Sequence, residues 1–143
     1  MKIEVVDNKI IVYLFNENIN VNDILELNNK IKDIFLRIMK KSNYDFFGYN
    51  KVDVYYNENY GTVLEVERIG NNEFNYQRID LKIVVYKNAV MFFEFDDYYF
   101  DKKPKSLVLK DGKYYLKIDN KLNVWKYIEF AKIKYKKMIN EID

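Results

Sequence analysis

The sequence predicts an α+β fold, an antiparallel sheet of about eight strands arranged in hairpins with two amphipathic helices packed on it. Three patterns lead there. Ile24, Leu27, Ile31, Ile34 and Ile38 step by three and four through 22–41, which puts them on one helical stripe. Val124, Ile128, Ala131, Tyr135, Met138 and Ile142 repeat that spacing through 123–142. The remaining chain is a series of short β-branched and aromatic runs separated by turn residues.

Composition narrows the class. With 143 residues, 49% of them hydrophobic, the chain is long enough to bury one core without staples, so a single compact domain over 1–143 is expected, with 70–78 as the candidate internal boundary. No Cys and no His are present, which removes disulfides, thiol nucleophiles, zinc–thiolate sites and the commonest general base. Charged and apolar residues alternate from the start, and no apolar run approaches the length of a membrane span. A cytoplasmic protein without membrane contact is expected. The net charge of +2 favours neither nucleic acid nor membrane. All 24 basic residues except Arg37, Arg68 and Arg78 are Lys, a bias that codon usage in a genome poor in G and C produces by itself.

In chain order, Ile3 to Val6 and Lys9 to Phe15 flank Asp7-Asn8, two residues that tolerate the left-handed conformation of a tight hairpin. In the first helix Asn22 is the expected cap, Asp23 suits the positive end of the dipole, and Lys40 and Lys41 suit the negative end. Tyr44, Phe46, Phe47 and Tyr49 form an aromatic loop with Gly48 as its pivot, expected to pack across the end of the core. Lys51 to Tyr56 and Thr62 to Ile69 read as a second hairpin. Ile79 to Tyr86 and Ala89 to Phe95, joined by Lys87-Asn88, read as a third. Leu107 to Lys110 and Lys113 to Ile118 flank Asp111-Gly112, the strongest short hairpin signal in the chain.

Three features bear on function. Tyr13, Tyr55, Val84, Tyr86, Val90, Phe92 and Tyr115 are expected on the sheet face opposite the inner set, where a solvated sheet shows charge; either the second helix covers them or they form a binding surface. Phe93 to Asp101 interleaves four acids with five aromatics, a pattern in which aromatics anchor a protein interface and acids select its partner. Tyr86, Phe92, Asp96, Asp97, Tyr98, Tyr99 and Tyr115 are therefore the candidate partner-binding residues. The segment lacks the Asp-x-Asp-x-Asp-Gly spacing of a calcium loop, and no metal site is assigned. The second helix carries Lys126, Lys132, Lys136 and Lys137, which with the sheet tyrosines make a nucleic-acid-binding module the alternative reading. With only 4 Gly there is no phosphate-cradling loop, and no nucleophile stands in a recognisable setting. No catalytic residue and no cofactor are assigned.

A family resemblance sharpens this. Met1-Lys2-Ile3-Glu4, Asn8 to Leu14, the helix ending Ile34-Phe35-Leu36-Arg37-Ile38, Val52 to Tyr56 and Gly61 to Val66 together look like the N-terminal domain of the MecA family of adaptor proteins. Phe93-Glu94-Phe95-Asp96-Asp97 and Lys110-Asp111-Gly112-Lys113-Tyr114-Tyr115-Leu116 are similar to segments of that family's C-terminal domain, in the same order and in shortened form. The resemblance implies a non-enzymatic protein-binding adaptor or regulator. Family members bind the AAA+ unfoldase ClpC with one domain and a substrate protein with the other. The expected partner is accordingly another protein, a Clp-type AAA+ unfoldase or a regulator.

Overall fold

The computed structural model describes residues 2–14, 17, 19–57, 61–70, 78–87, 89, 91–96, 107–117 and 132–135, with the backbone alone at 91 and 132–135. In chain order the elements are β1 (Lys2–Val6), β2 (Lys9–Leu14), α1 (Ile24–Lys41), β3 (Gly48–Asn57), β4 (Gly61–Arg68), β5 (Ile79–Tyr86), β6 (Met91–Phe95), β7 (Leu107–Lys110), β8 (Lys113–Lys117) and β9 (Lys132–Tyr135). The fold is α+β. Its strands form two sheets where the sequence suggests one: five strands in the order β1-β2-β4-β3-β5 and four in the order β7-β8-β6-β9. The chain divides into two compact units, Met1–Tyr56 with Thr62–Lys87 and Asn57–Gly61 with Asn88–Asp143.

The first unit is built on a split β-α-β arrangement. β1 and β2 pair antiparallel, as do β2 and β4. β3 and β4 are neighbours joined by residues 58–60, and three residues reach only about 10 Å, too short to return along a ten-residue strand, so these two are antiparallel. It follows that β2 and β3 are parallel, with β4 inserted between them and α1 as the connection. The turn at Asp7-Asn8 is as expected, and Asp7 takes the left-handed φ of 55° that a tight hairpin requires.

α1 buries Leu27, Ile31, Ile34, Phe35 and Ile38. They pack on Val12 and Leu14 of β2, Leu64 and Val66 of β4, Val52 and Val54 of β3, and Ile79 of β5. Each such side chain contributes about 1.5–3 kcal/mol by leaving water. Two details differ from the sequence reading. Ile24 is exposed, and Phe35 joins the buried stripe, stacked on Phe46 with ring centroids 4.1 Å apart. The aromatic loop thus closes the end of the core through Phe46, and Gly48 opens β3 with a φ of 108°. The cap is Asp23, whose Oδ1 accepts from Leu25 N at 3.1 Å and Glu26 N at 3.2 Å. Asn22 Oδ1 instead accepts from Lys87 Nζ at 2.9 Å.

The third expected hairpin is replaced by a different pairing. β5 runs parallel to β3, with Val52 opposite Ile83 and Tyr55 opposite Tyr86, while β6 joins the other sheet between β8 and β9. The register that gives the face pattern is unchanged, because Ile79, Leu81, Ile83 and Val85 still face α1. The expected helix over 123–142 is contradicted at Lys132–Tyr135, which form β9, and its other residues lie outside the described ones. Lys132-Ile133-Lys134-Tyr135 alternates polar and apolar with period two, and β6 offers a second edge that pairs Met91 to Glu94 with Tyr135 to Lys132. Pairing along that edge overrides the helical spacing of the longer window. The Asp111-Gly112 hairpin is as expected, with both residues at positive φ, 52° and 78°.

Replacing Asp23 by Ala should lower the unfolding free energy by about 1 kcal/mol, whereas Asn22→Ala should change it by less than about 0.5 kcal/mol. Urea unfolding of the two variants decides between the two caps; a larger loss for Asn22→Ala than for Asp23→Ala would return the cap to Asn22.

Candidate functional site

The face of the five-stranded sheet opposite α1 carries the unusual chemistry. Alternation from the core positions places Lys9, Ile11 and Tyr13 of β2, Val63, Glu65 and Glu67 of β4, Lys51, Asp53 and Tyr55 of β3, and Val84 and Tyr86 of β5 on that side. Tyr13, Tyr55, Val63, Glu65 and Asp53 are all buried, so this face is not a solvated one. Glu65 accepts from Lys9 Nζ at 2.6 Å. Tyr13 donates its hydroxyl to Glu4 Oε2 at 2.9 Å, and Lys2 Nζ lies 5.5 Å above the Tyr13 ring and 3.1 Å from Glu4. Asp53 is only 5% exposed, and its Oδ1 accepts no hydrogen bond. Tyr55 stacks on Tyr86 with centroids 4.8 Å apart.

Electrostatics follow this geometry. The hydrogen bond and charge of Glu65 hold the Lys9 ammonium above its ordinary pKa. Burial, then the charge of Glu4 and the hydrogen bond to it, pushes the Tyr13 hydroxyl far up. Burial, then the charges of Glu65 and Asp53, does the same to Tyr55.

The candidate partner-binding residues separate. Tyr86 is 38% exposed at the end of β5, and Asp96 is exposed just after β6. Phe92 and Tyr115 belong to the four-stranded sheet, so they do not share a face with Tyr13, Tyr55 and Tyr86, and both are buried. A partner cannot reach them in this conformation. Asp97, Tyr98 and Tyr99 lie outside the described residues, as does Val90. Of the four lysines of the nucleic-acid alternative, Lys126, Lys136 and Lys137 are also outside them, and Lys132 sits in β9, not on a helix face shared with Lys136.

No family model, curated protein or solved structure matches this chain. Its site is therefore read from its own residues.

Within the acidic-aromatic segment, Glu94 is buried and takes Lys113 Nζ at 3.2 Å, while exposed Asp96 lies 3.9 Å from the same ammonium. The bond to Glu94 raises the Lys113 pKa. Two strands at sheet edges carry exposed aliphatic side chains. On β7, an edge of its sheet, Leu109 is 62% and Val108 37% exposed; on β1, an edge of the other, Val5 is 58% and Val6 46% exposed. Sequence reasoning passed over these four because an isolated exposed Val or Leu carries no signal until the strand order shows it on an edge. Among the described residues no helix is long and apolar enough to cross a membrane.

Lys9→Met should destabilise the protein by about 1–2 kcal/mol, because it takes a cation away from the buried Glu65 carboxylate; the loss is less than for a fully buried pair because the Lys9 side chain is 41% exposed. Chemical denaturation measures it, and an unchanged midpoint would show that Glu65 is stabilised without Lys9.

Alkali gives a second test. The unfolded tyrosines lose their protons near pH 10 while Tyr13 and Tyr55, raised in the folded state, keep theirs. Stability is thus fully present below about pH 10 and falls above it, by up to about 1.4 kcal/mol per pH unit for each tyrosine. Lys9, also raised, acts in the same direction. Melting temperatures between about pH 8 and 11 should fall less steeply in Tyr13→Phe than in the parent, and equal slopes would refute the assignment.

Proposed function

We propose that the chain is a non-enzymatic protein-binding adaptor that presents a substrate protein to a Clp-type AAA+ unfoldase. The observation that carries the reading is the exposed aliphatic edge of β7, where Val108 and Leu109 stand on a strand that, among the described residues, ends the strand order of the second sheet. An edge of this kind accepts an extended segment of another protein as an added strand, main-chain hydrogen bonds supplying affinity and the alternate side chains supplying specificity. Two further features support it. The division into two units suits a protein that holds one partner with each, and the segments resembling MecA adaptors fall in both units in the family's order.

The exposed Asp96 follows β6 in the same unit and fits a basic partner surface. Burial of Phe92 and Tyr115 shifts the aromatic contribution from direct contact to shaping the sheet that holds β7 in place.

The test is direct. A purified Clp-type unfoldase should bind the chain with micromolar affinity and show raised ATPase activity on its addition. Leu109→Asp should weaken both at least tenfold without altering the fold, since Leu109 is exposed. Absence of binding by the unaltered chain would overturn the unfoldase role, and unchanged binding by the variant would overturn the assignment to β7.

A further inference from the structure

We propose that β1 is a self-association edge through which two copies of this chain join their five-stranded sheets. The inference concerns the opposite unit from β7 and does not depend on the adaptor reading. β1 ends the strand order, and its one-to-one register with β2 runs from Lys2 to Val6 without a bulge. Edges of soluble sheets are ordinarily blunted by proline, a bulge or an uncompensated charge. β1 has neither of the first two, and its single cation, Lys2, is matched by Glu4 at 3.1 Å. Val5 and Val6 beyond them are exposed.

The sequence of the strand selects both occupant and register. Residues directly opposite in an antiparallel pair share a face of the sheet, so a two-fold axis through Ile3 sets Ile3 against Ile3 on the helix-bearing side and Lys2 against Glu4 of the second copy, twice, on the other. Moving the axis to Glu4 sets two carboxylates against each other and Lys2 against Val6. Moving it to Val5 sets Ile3 against Asp7 and Glu4 against Val6. Only the first register pairs opposite charges at both positions and like apolar groups at the axis. β1 is therefore complementary to itself, and the occupant is a second copy. A five-residue strand buries little area, which places the association in the micromolar range.

Sedimentation velocity on the full chain from about 1 μM to about 1 mM should show a monomer–dimer equilibrium. Lys2→Glu and Glu4→Lys, each folded by circular dichroism, should each weaken self-association at least tenfold, because like charges then face each other across the axis. Mixing the two variants should restore the dimer, since each copy then presents to the other the charges it lacks. Neither variant regains its own Lys2–Glu4 pair in that mixture, so recovery reports the contact between copies and not repair within one. A monomeric parent, single variants that associate as well as the parent, or a mixture that stays monomeric would each overturn the proposal.

Discussion

Everything in the first unit depends on the contact between the apolar stripe of α1 and the strands beneath it. Leu27, Ile31, Ile34 and Ile38 each need an apolar surface, and β2, β4 and β3 supply Val12, Leu14, Leu64, Val66, Val52 and Val54 in one continuous patch. Because α1 links β2 to β3, and β4 fits between them, one helix holds together strands that are distant in sequence. The helix also carries its own fastening. Lys30 Nζ and Arg37 Nη2, seven residues apart and so on one side of α1, lie 3.1 Å from the two oxygens of Glu17, which anchors the connection from β2. Phe46 completes the core from the other end, stacked on Phe35.

With one face committed to α1, the other face has freedom that it uses for polar burial. Tyr13, Glu65, Asp53 and Tyr55 lie there, and each lowers its cost differently. Tyr13 donates to Glu4, Glu65 takes an ammonium, and Tyr55 rests its ring on Tyr86. Asp53 Oδ1 keeps no hydrogen bond, and a carboxylate so placed opposes folding unless other interactions repay it. This accounts for the absence of the plain charged-out alternation of a solvated antiparallel sheet: the polar residues are present but drawn inside.

How much of this was legible in the sequence depended on whether the determining contact was local. The stripe of α1 and the Asp111-Gly112 turn were readable because spacing and backbone preference act within a few residues. The pairing of β5 was not: Lys87-Asn88 looks like a turn, yet β5 finds a parallel place beside β3, where Ile79 joins the core under α1. At the C-terminal end a helical period over 123–142 competes with a two-residue period at 132–135, and the edge of β6 settles it for the strand. Of the candidate site residues, Tyr86 and Asp96 are exposed, while Phe92 and Tyr115 are buried in the second sheet, a separation that no local pattern signals. Val108 and Leu109 were invisible for the same reason, since an edge exists only once strand order is known.

The two sheets share a device whose logic is register. In each, a lysine has an acid directly or nearly opposite it yet bonds a buried glutamate on the diagonal. Lys9 is aligned with Glu67 and bonds Glu65; Lys113 lies 3.9 Å from Asp96 and bonds Glu94. Diagonal neighbours are within reach of a long side chain, so either acid can be satisfied in the native alignment. A slip of one residue would turn Glu65 into the apolar core beneath α1, and would turn Glu94 to the face of Leu116 that Phe93 and Phe95 now occupy, in both cases away from the ammonium. The glutamate is thus tolerable in one alignment and costly in its neighbours. Such a pair adds little net stability, because desolvation offsets most of the attraction. It acts by penalising the competitors, and a chain whose strands are rich in interchangeable Val, Ile, Phe and Tyr has more need of that penalty than of another buried methyl group.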